Sequence, residues 1–311
     1  MTRFGIVGGG LMGHGIAVAL AKAGHSAAVY DVDPQTMATF HHRVGPALAQ
    51  CGVPGSQAGP IGARITTVQA LHDIVRDVDV LVEAVPERLE DKHQVMATLE
   101  AVAAPETPIW TNTSVLSITQ VAEGMAHPER LAGVHWWNPP YLVPLVEVAP
   151  GARTDPRVLD EACDLLSAMG KTTVRLRRDV PGFVGNRLQF ALVREALSLL
   201  DQGVCDPATI DTVMRSSLGL RWSAVGPMEN ADYIGLALTR DILGNLAPHL
   251  STEKEVFPGL DKPLSEDRHG RASGAGLLPW PSGRETEVAE RLGAGIRRNL
   301  ADLRTVPNRE W

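Results

Sequence analysis

Residues 133–148, GVHWWNPPYLVPLVEV, place a histidine and a glutamate, His135 and Glu147, in otherwise apolar surroundings. The apolar stretches on either side read as two short strands joined across a proline-rich turn (Asn138, Pro139, Pro140, Pro144), which folds the two side chains back towards each other. An imidazole beside a carboxylate is an acid–base pair: the carboxylate fixes the tautomer of the ring and stabilises the imidazolium once a proton arrives. A blander reading stands beside it, in which His135 is a core histidine satisfied by a backbone carbonyl and Glu147 is a solvated strand residue.

A second constellation lies at the start of the chain. The apolar run Phe4–Val7 is followed by Gly8, Gly10 and Gly13 in G-x-G-x-x-G spacing and then by IAVALAKAG, with helical apolar periodicity. SAAVYDVDP supplies a second strand ending at Asp31, roughly twenty residues after the glycines. The first glycine permits the turn, the second lets a pyrophosphate approach the backbone, and the third lets helix and strand pack closely. The helix start offers free N–H groups and the positive end of a dipole, so Leu11 and Met12 join the three glycines as expected cofactor-binding positions. Asp31 can accept hydrogen bonds from a ribose diol and repels a 2′-phosphate. The following VDPQTM has no arginine or lysine to neutralise one, so NAD is favoured over NADP. His14, inside the turn, is expected to face solvent or the cofactor edge.

These elements need a fold. The 311 residues suffice for about two domains, and 44% hydrophobic with 21% charged residues is ordinary for a globular protein. A net charge of −7 without basic runs argues against nucleic acid or an anionic membrane surface as partner. Cys51, Cys163 and Cys205 are far apart, in no metal or redox spacing, and read as reduced thiols of a cytoplasmic protein. Residues 4–21 are uncharged, but six glycines and His14 make a poor membrane span.

Strand and helix patterns alternate beyond the glycine turn: RITTV, an amphipathic helix in LHDIVRDV, the buried strand DVLVEAVP, the helix LEDKHQVMATLEAVAA and the strand PIWTNTS, with RLAGVHWW, PLVEVA and KTTVRLR extending the sheet. That alternation predicts an α/β fold, a doubly wound, mostly parallel sheet covered by helices on both faces. From Gly182 onward the readable segments are helical, and proline and glycine interrupt the patterning near Asp179–Pro181. The expected division is a Rossmann-type NAD-binding domain over residues 1–181 and an all-helical C-terminal domain over 182–311. Residues 251–284, rich in glycine, proline and serine, read as a mobile loop.

Six stretches taken together, GIVGGGLMGHGIA, VLVEAVPE, TNTSVLSI, GVHWWNPPYLVPLVEV, DVPGFVGNRL and GPMENADYIGL, resemble the L-3-hydroxyacyl-CoA dehydrogenase family along nearly the whole chain. The resemblance implies an NAD-dependent dehydrogenase of fatty acid metabolism whose helical domain forms a homodimer interface and closes over the substrate. It implies that His135 is the catalytic base and Glu147 its orienting partner, that Ser114 and Asn186 hold the substrate near the histidine, and that Glu87 and Lys92 line the cofactor site. Read without the resemblance, Ser114 and Asn186 are also good helix caps.

There are departures from the pattern. Members acting on coenzyme A thioesters carry a lysine-bearing helix after the second strand, whereas residues 41–64 here hold no lysine and read as a broken helix. Trp136 and Trp137 either narrow the pocket or pack in the sheet. The wording NPPYLVPLVEV also resembles relatives that oxidise small free hydroxy acids, such as gulonate and carnitine dehydrogenases, and a lens crystallin from that branch. The substrate is thus a 3-hydroxyacyl compound, as thioester or free acid, or another small alcohol or aldehyde acid, and an NAD-binding structural protein of crystallin type is a further alternative. The β-hydroxyacid dehydrogenase type requires a lysine three residues after an asparagine. Gln189 stands there, and Lys171 reads as a solvated strand end.

Overall fold

The computed structural model describes residues 1–303. Eight strands, β1 (Arg3–Val7), β2 (Ser26–Tyr30), β3 (Ile65–Thr67), β4 (Val80–Glu83), β5 (Ile109–Thr111), β6 (Leu131–Trp136), β7 (Leu145–Pro150) and β8 (Thr172–Arg175), form one sheet in the order β3-β2-β1-β4-β5-β6-β7-β8. The strands from β3 across to β6 are parallel, β7 runs antiparallel to β6, and β8 is parallel to β7. All four residues of β4 and all three of β5 are buried, as strands covered on both faces must be. The winding reverses between β1 and β4, and an open α/β sheet binds its ligands at the carboxyl ends beside such a point.

The covering helices are α1 (Leu11–Lys22), α2 (Pro34–Gln50), α3 (Gly55–Gly62), α4 (Leu89–Val102), α5 (Ile118–Val121) and α6 (Pro156–Ala168). Alternate residues of the strands supply two cores. Phe4, Ile6, Val29 and Val134 pack against α1, α2 and α6, while Val7, Leu81, Ile109 and Leu131 pack against α4 and α5. The Asp33 side chain starts α2 by accepting from the N–H groups of Gln35 and Thr36, with Pro34 in the first turn.

The helix expected to be broken over 41–64 is broken at residues 51–54: α2 runs through Pro46 to Gln50, because its buried face (Phe40, Val44, Ala47, Leu48) packs into the core and outweighs the one lost hydrogen bond, and the chain then turns. The glycine- and proline-rich stretch after it also forms a helix, α3. LHDIVRDV, by contrast, supplies only a 3-10 turn at Leu71–Asp73 before the chain turns towards β4.

His14 and Lys171 are corrected too. His14 lies on the packed side of α1, 6% exposed, edge-on to Phe40 with ring centroids 4.9 Å apart, because α2 packs its Phe40 against it. Burial, with the charges of Arg43 and His41, lowers its pKa to about 4. Lys171 is half-buried rather than solvated. Its Nζ donates to the carbonyls of Pro140 (2.5 Å) and Val143 (2.9 Å) and sits 4.8 Å from the centre of a Trp136 ring. It thereby clamps the loop between β6 and β7, and burial together with the charge of Lys22 lowers its pKa to about 8.

The His14 environment has a measurable consequence. The unfolded chain protonates this imidazole near 6.5, while the folded chain resists until about 4. The stability that His14 contributes is therefore fully present above pH 6.5 and is lost as pH falls towards 4, by roughly 3 kcal/mol at the full shift. Urea unfolding of His14→Leu beside wild type should show a flatter stability profile across that window. Parallel profiles would contradict the assignment.

The chain divides into two compact units, Met1–Asn186 and the residues from Arg187 onward. The division falls in the first turn of α7 (Gly185–Asp201). The second unit is helical: α8 (Pro207–Val213), a π-helical turn at Met214–Leu218, α9 (Gly219–Trp222), α10 (Pro227–Ile234), α11 (Leu236–Leu246), α12 (Pro258–Ser265) and α13 (Arg284–Leu303). The segment expected as a loop over 251–284 contains α12 and two isolated bridges, Gly270 with Ala275 and Ala275 with Pro279. Among the described residues of this unit, Leu197 is the one large apolar side chain that is buried.

Candidate active site

The glycine turn connects β1 to α1. Gly8 has φ +101°, a conformation that a side chain disfavours, and a Cβ there would overlap the backbone of Ala84 across the β1–β4 reversal point. A Cβ on Gly13 would overlap the Gly8 carbonyl, so the third glycine is what lets the helix sit on the turn. Gly10 differs: an added Cβ meets nothing within 4 Å, leaving open space over the N-terminus of α1. That terminus has no side-chain cap, so its first N–H groups lack intrahelical partners. Leu11 is 69% exposed beside it and Met12 half-buried. Asp31, just past β2, accepts from the N–H of Gly9 (2.7 Å) and of Asp33 (2.8 Å). An uncapped helix start, an open cradle and a carboxylate on the neighbouring strand fit the pyrophosphate and ribose of a dinucleotide.

One premise drawn from the sequence fails here. No cation follows Asp31 in VDPQTM, but α2 returns Arg43 to the turn, and its Nη2 donates to the Gly9 carbonyl at 2.9 Å. A residue one helical stretch away in sequence is a neighbour in space.

His135 and Glu147 stand directly opposite each other on the antiparallel pair β6–β7. His135 Nδ1 and Glu147 Oε2 are 3.0 Å apart, and both side chains are buried. Glu147 has four donors: His135 Nδ1 and Trp137 Nε1 (3.3 Å) at Oε2, and the N–H groups of Val184 (2.9 Å) and Gly185 (3.0 Å) at Oε1. Burial alone would raise its pKa. The hydrogen bonds from His135, Gly185 and Val184 outweigh burial and hold the carboxyl below its ordinary value. An ionised carboxylate accepts only, so Nδ1 of His135 is the donor in this contact and Nε2 is the ring nitrogen left to exchange a proton. The imidazole can therefore take up a proton at Nε2, with the charge stabilised from behind. The solvated-strand reading of Glu147 does not survive.

The ring is held on its faces as well. Phe183 stacks on it with centroids 5.3 Å apart and planes at 11°, and Trp137 leans at 5.3 Å and 53°. Phe183 is fully buried and adopts φ +47°, a strained conformation for a residue with a side chain, costing about 1–3 kcal/mol. Glu147 pins the two residues that follow it, and a Cβ on Gly185 would overlap the Trp137 ring. Trp136, in contrast, is sheet packing, fully buried in the core.

Ser114 and Asn186 are brought together: Asn186 Nδ2 donates to the Ser114 carbonyl at 3.0 Å. Ser114 is not a helix cap, since Ser117 starts α5 by accepting from the Gln120 N–H. The Ser114 loop is fastened by Glu87, whose Oε1 accepts from the N–H groups of Ser114 (2.9 Å), Val115 (3.0 Å) and Leu116 (3.3 Å) and from the Thr113 hydroxyl. Burial raises the Glu87 pKa, but the hydrogen bonds from Thr113, Val115 and Ser114 and the Lys92 charge overcome it and leave the carboxyl low.

Lys92 is 0% exposed. Its ammonium lies 2.8 and 3.0 Å from the two Glu83 oxygens and 3.4 Å from Glu87 Oε2, so it has no donor to spare and meets the cofactor site through Glu87 rather than as a lining group. Sequence reasoning missed Glu83, which also accepts from Thr111 (2.6 Å) and the Val85 N–H, and missed Asn112, whose Oδ1 accepts from the Trp136 N–H at 2.9 Å. It missed Phe183 and Arg43 as well. The one available signal was a phenylalanine set among glycines in PGFVG.

Residues 3–180 match the family model described as 3-hydroxyacyl-CoA dehydrogenase, NAD binding domain, and residues 182–280 match its C-terminal domain. The chain is 33% identical over 309 residues to 5-formyl-3-hydroxy-2-methylpyridine 4-carboxylate 5-dehydrogenase of Mesorhizobium japonicum, covering 98% of both chains. It is 36% identical over 231 residues to L-carnitine dehydrogenase of Streptomyces griseus, covering 73% of this chain and 68% of that one. A solved structure of a 5-formyl-3-hydroxy-2-methylpyridine 4-carboxylic acid 5-dehydrogenase, titled an NAD+ dependent dismutase, superposes with a TM-score of 0.89 at 31% identity over 100% of both chains. Matches over both domains, and a fold shared from end to end, establish that the chain belongs to the 3-hydroxyacyl-CoA dehydrogenase family, NAD-dependent oxidoreductases acting on CH–OH groups.

Proposed function

We propose that the protein oxidises the CH–OH group of a small carboxylate that carries no coenzyme A, a free 3-hydroxy acid or a related alcohol or hydrated aldehyde acid, with His135 as base. The observation that carries the chemistry is the buried His135–Glu147 contact of 3.0 Å, which engages Nδ1 and leaves Nε2 for the substrate. Bound NAD supplies a hydride acceptor. His135 takes the hydroxyl proton while the C–H hydride leaves, Glu147 stabilises the imidazolium, and Ser114 and Asn186 donate hydrogen bonds to the oxygen as it becomes a carbonyl. Gly8, Gly10, Leu11, Met12 and Gly13 hold the pyrophosphate, Asp31 the ribose, and Glu87, steadied by Lys92, the far wall.

The absence of coenzyme A is supported by residues 34–62. They contain no lysine, and their one arginine, Arg43, stands at the glycine turn of the dinucleotide site rather than in a cluster of cations. The end-to-end relative named for a pyridine carboxylate points the same way. The thioester reading rests on the family description. Measuring NAD reduction with 3-hydroxybutyryl-CoA, free 3-hydroxy acids and aromatic aldehyde acids decides between them. We expect the best kcat/KM with a free acid, because remote contacts accelerate a reaction only where they exist to be made. A large preference for the thioester would overturn the reading.

The protein works as a homodimer in this proposal, and its reduced cysteines suit the cytoplasm. In the helical unit Phe190 (56% exposed), Tyr233 (88%) and Leu236 (64%) lie bare, an amount of apolar surface that a second copy would cover. Light scattering after size exclusion should give twice the chain mass of 33.3 kDa. A monomer at micromolar concentration would contradict it.

A further inference from the structure

Arg43 is the unexplained charge at the cofactor site. Its Nη2 donates to the Gly9 carbonyl at 2.9 Å and reaches the Thr36 carbonyl at 3.4 Å, and its guanidinium carbon lies 5.5 Å from the centre of the buried Phe40 ring. The N–H of the same Gly9 is held by Asp31 at 2.7 Å. One glycine is thus gripped on its two sides by an acid and a guanidinium. Burial lowers the Arg43 pKa and the Asp31 charge raises it again, which places the two charges within electrostatic reach of each other. A guanidinium has five N–H donors. Nε is buried with no acceptor, and among the described residues none accepts from Nη1. A cation with donors to spare therefore stands beside the carboxylate that receives the adenosine ribose.

We propose that Arg43 is a specificity-determining residue of the cofactor site, a latent ligand for the 2′-phosphate of a phosphorylated nicotinamide dinucleotide whose use is suppressed by Asp31 alone. The carboxylate repels a phosphate and offsets part of the guanidinium's charge. With that charge removed, Arg43 is left with an unopposed positive charge and, among the described residues, an Nη1 without an acceptor, on the same glycine that Asp31 holds, and guanidinium–phosphate hydrogen bonds are among the strongest available to a side chain. Without such a cation, neutralising Asp31 would only weaken NAD binding. With it, the preference exchanges sign.

The test needs no substrate, so its outcome is independent of the substrate proposed above. Dissociation constants for NADH and NADPH are measured by nicotinamide fluorescence for wild type, Asp31→Ser, Asp31→Asn, Arg43→Met and the Asp31→Asn/Arg43→Met double variant. Either Asp31 substitution should weaken NADH and tighten NADPH by about tenfold or more, the scale of one charge-assisted hydrogen bond. The double variant should lose that gain, and added salt should diminish it. A folded Asp31 variant with no NADPH gain, or a double variant that keeps the whole gain, would overturn the proposal. Asp31→Asn retains an acceptor for the Gly9 N–H should Asp31→Ser loosen the turn. If neither folds, Arg43→Met decides alone: it should weaken NADPH more than NADH, and an equal change in both would reject the assignment.

Discussion

Replacing His135 with Gln is expected to lower kcat by roughly a hundredfold or more, the usual scale for loss of a general base, while NAD binding stays nearly intact. The separation follows from the sheet order: β6, which carries His135, is the third strand from β1 and its glycine turn, with β4 and β5 between them. Glutamine fills much of the imidazole volume and can still contact Glu147, so the space between Phe183 and Trp137 is not left empty, but the amide cannot take up a proton. Single-turnover kinetics with a saturating substrate, alongside calorimetric NAD titration, checks both halves. A variant with near-normal kcat would show that the histidine is a core residue after all.

Glu147→Gln is expected to slow turnover by about tenfold or more and also to destabilise the fold by about 1–3 kcal/mol. The two effects have different origins. The neutral amide cannot balance an imidazolium as a carboxylate does. It also offers one oxygen where the structure uses two, so either the His135–Trp137 pair of donors or the Val184–Gly185 pair is left facing an N–H group. The pH dependence separates the charge effect from the packing effect. The folded carboxyl is held below its ordinary value, so its stabilising contribution is fully present above the unfolded value, about 4.3, and is lost as pH falls through the folded value. The stability gap between wild type and Glu147→Gln should therefore be constant at neutral pH and narrow only below about pH 4. A gap that persists unchanged into strong acid would mean that Glu147 acts through shape alone.

The glycine turn was legible in the sequence because its demands are local. Gly8 with its positive φ and Gly13 packed on the Gly8 carbonyl serve one short turn, and Asp31 follows just past the next strand. Helix persistence was less so. LHDIVRDV looks like an amphipathic helix but supplies only a 3-10 turn, and Lys171 looks solvated until the loop carbonyls of Pro140 and Val143 close over it. Local propensity is a weak prior wherever tertiary packing competes with it.

By itself, then, the sequence determined the order of the strands, most of the helices, the glycine turn and the approach of His135 to Glu147, since alternating patterns and a short antiparallel connection constrain residues near one another in the chain. The tertiary structure alone decided what surrounds them. It stacked Phe183 on His135, gave Glu147 two backbone donors from thirty-seven and thirty-eight residues away, buried Lys92 between Glu83 and Glu87, and returned Arg43 to the glycine turn. Each of these is a contact between separate elements. It depends on how helices and strands pack in three dimensions, and no period or spacing along one segment of chain encodes which side chains will meet.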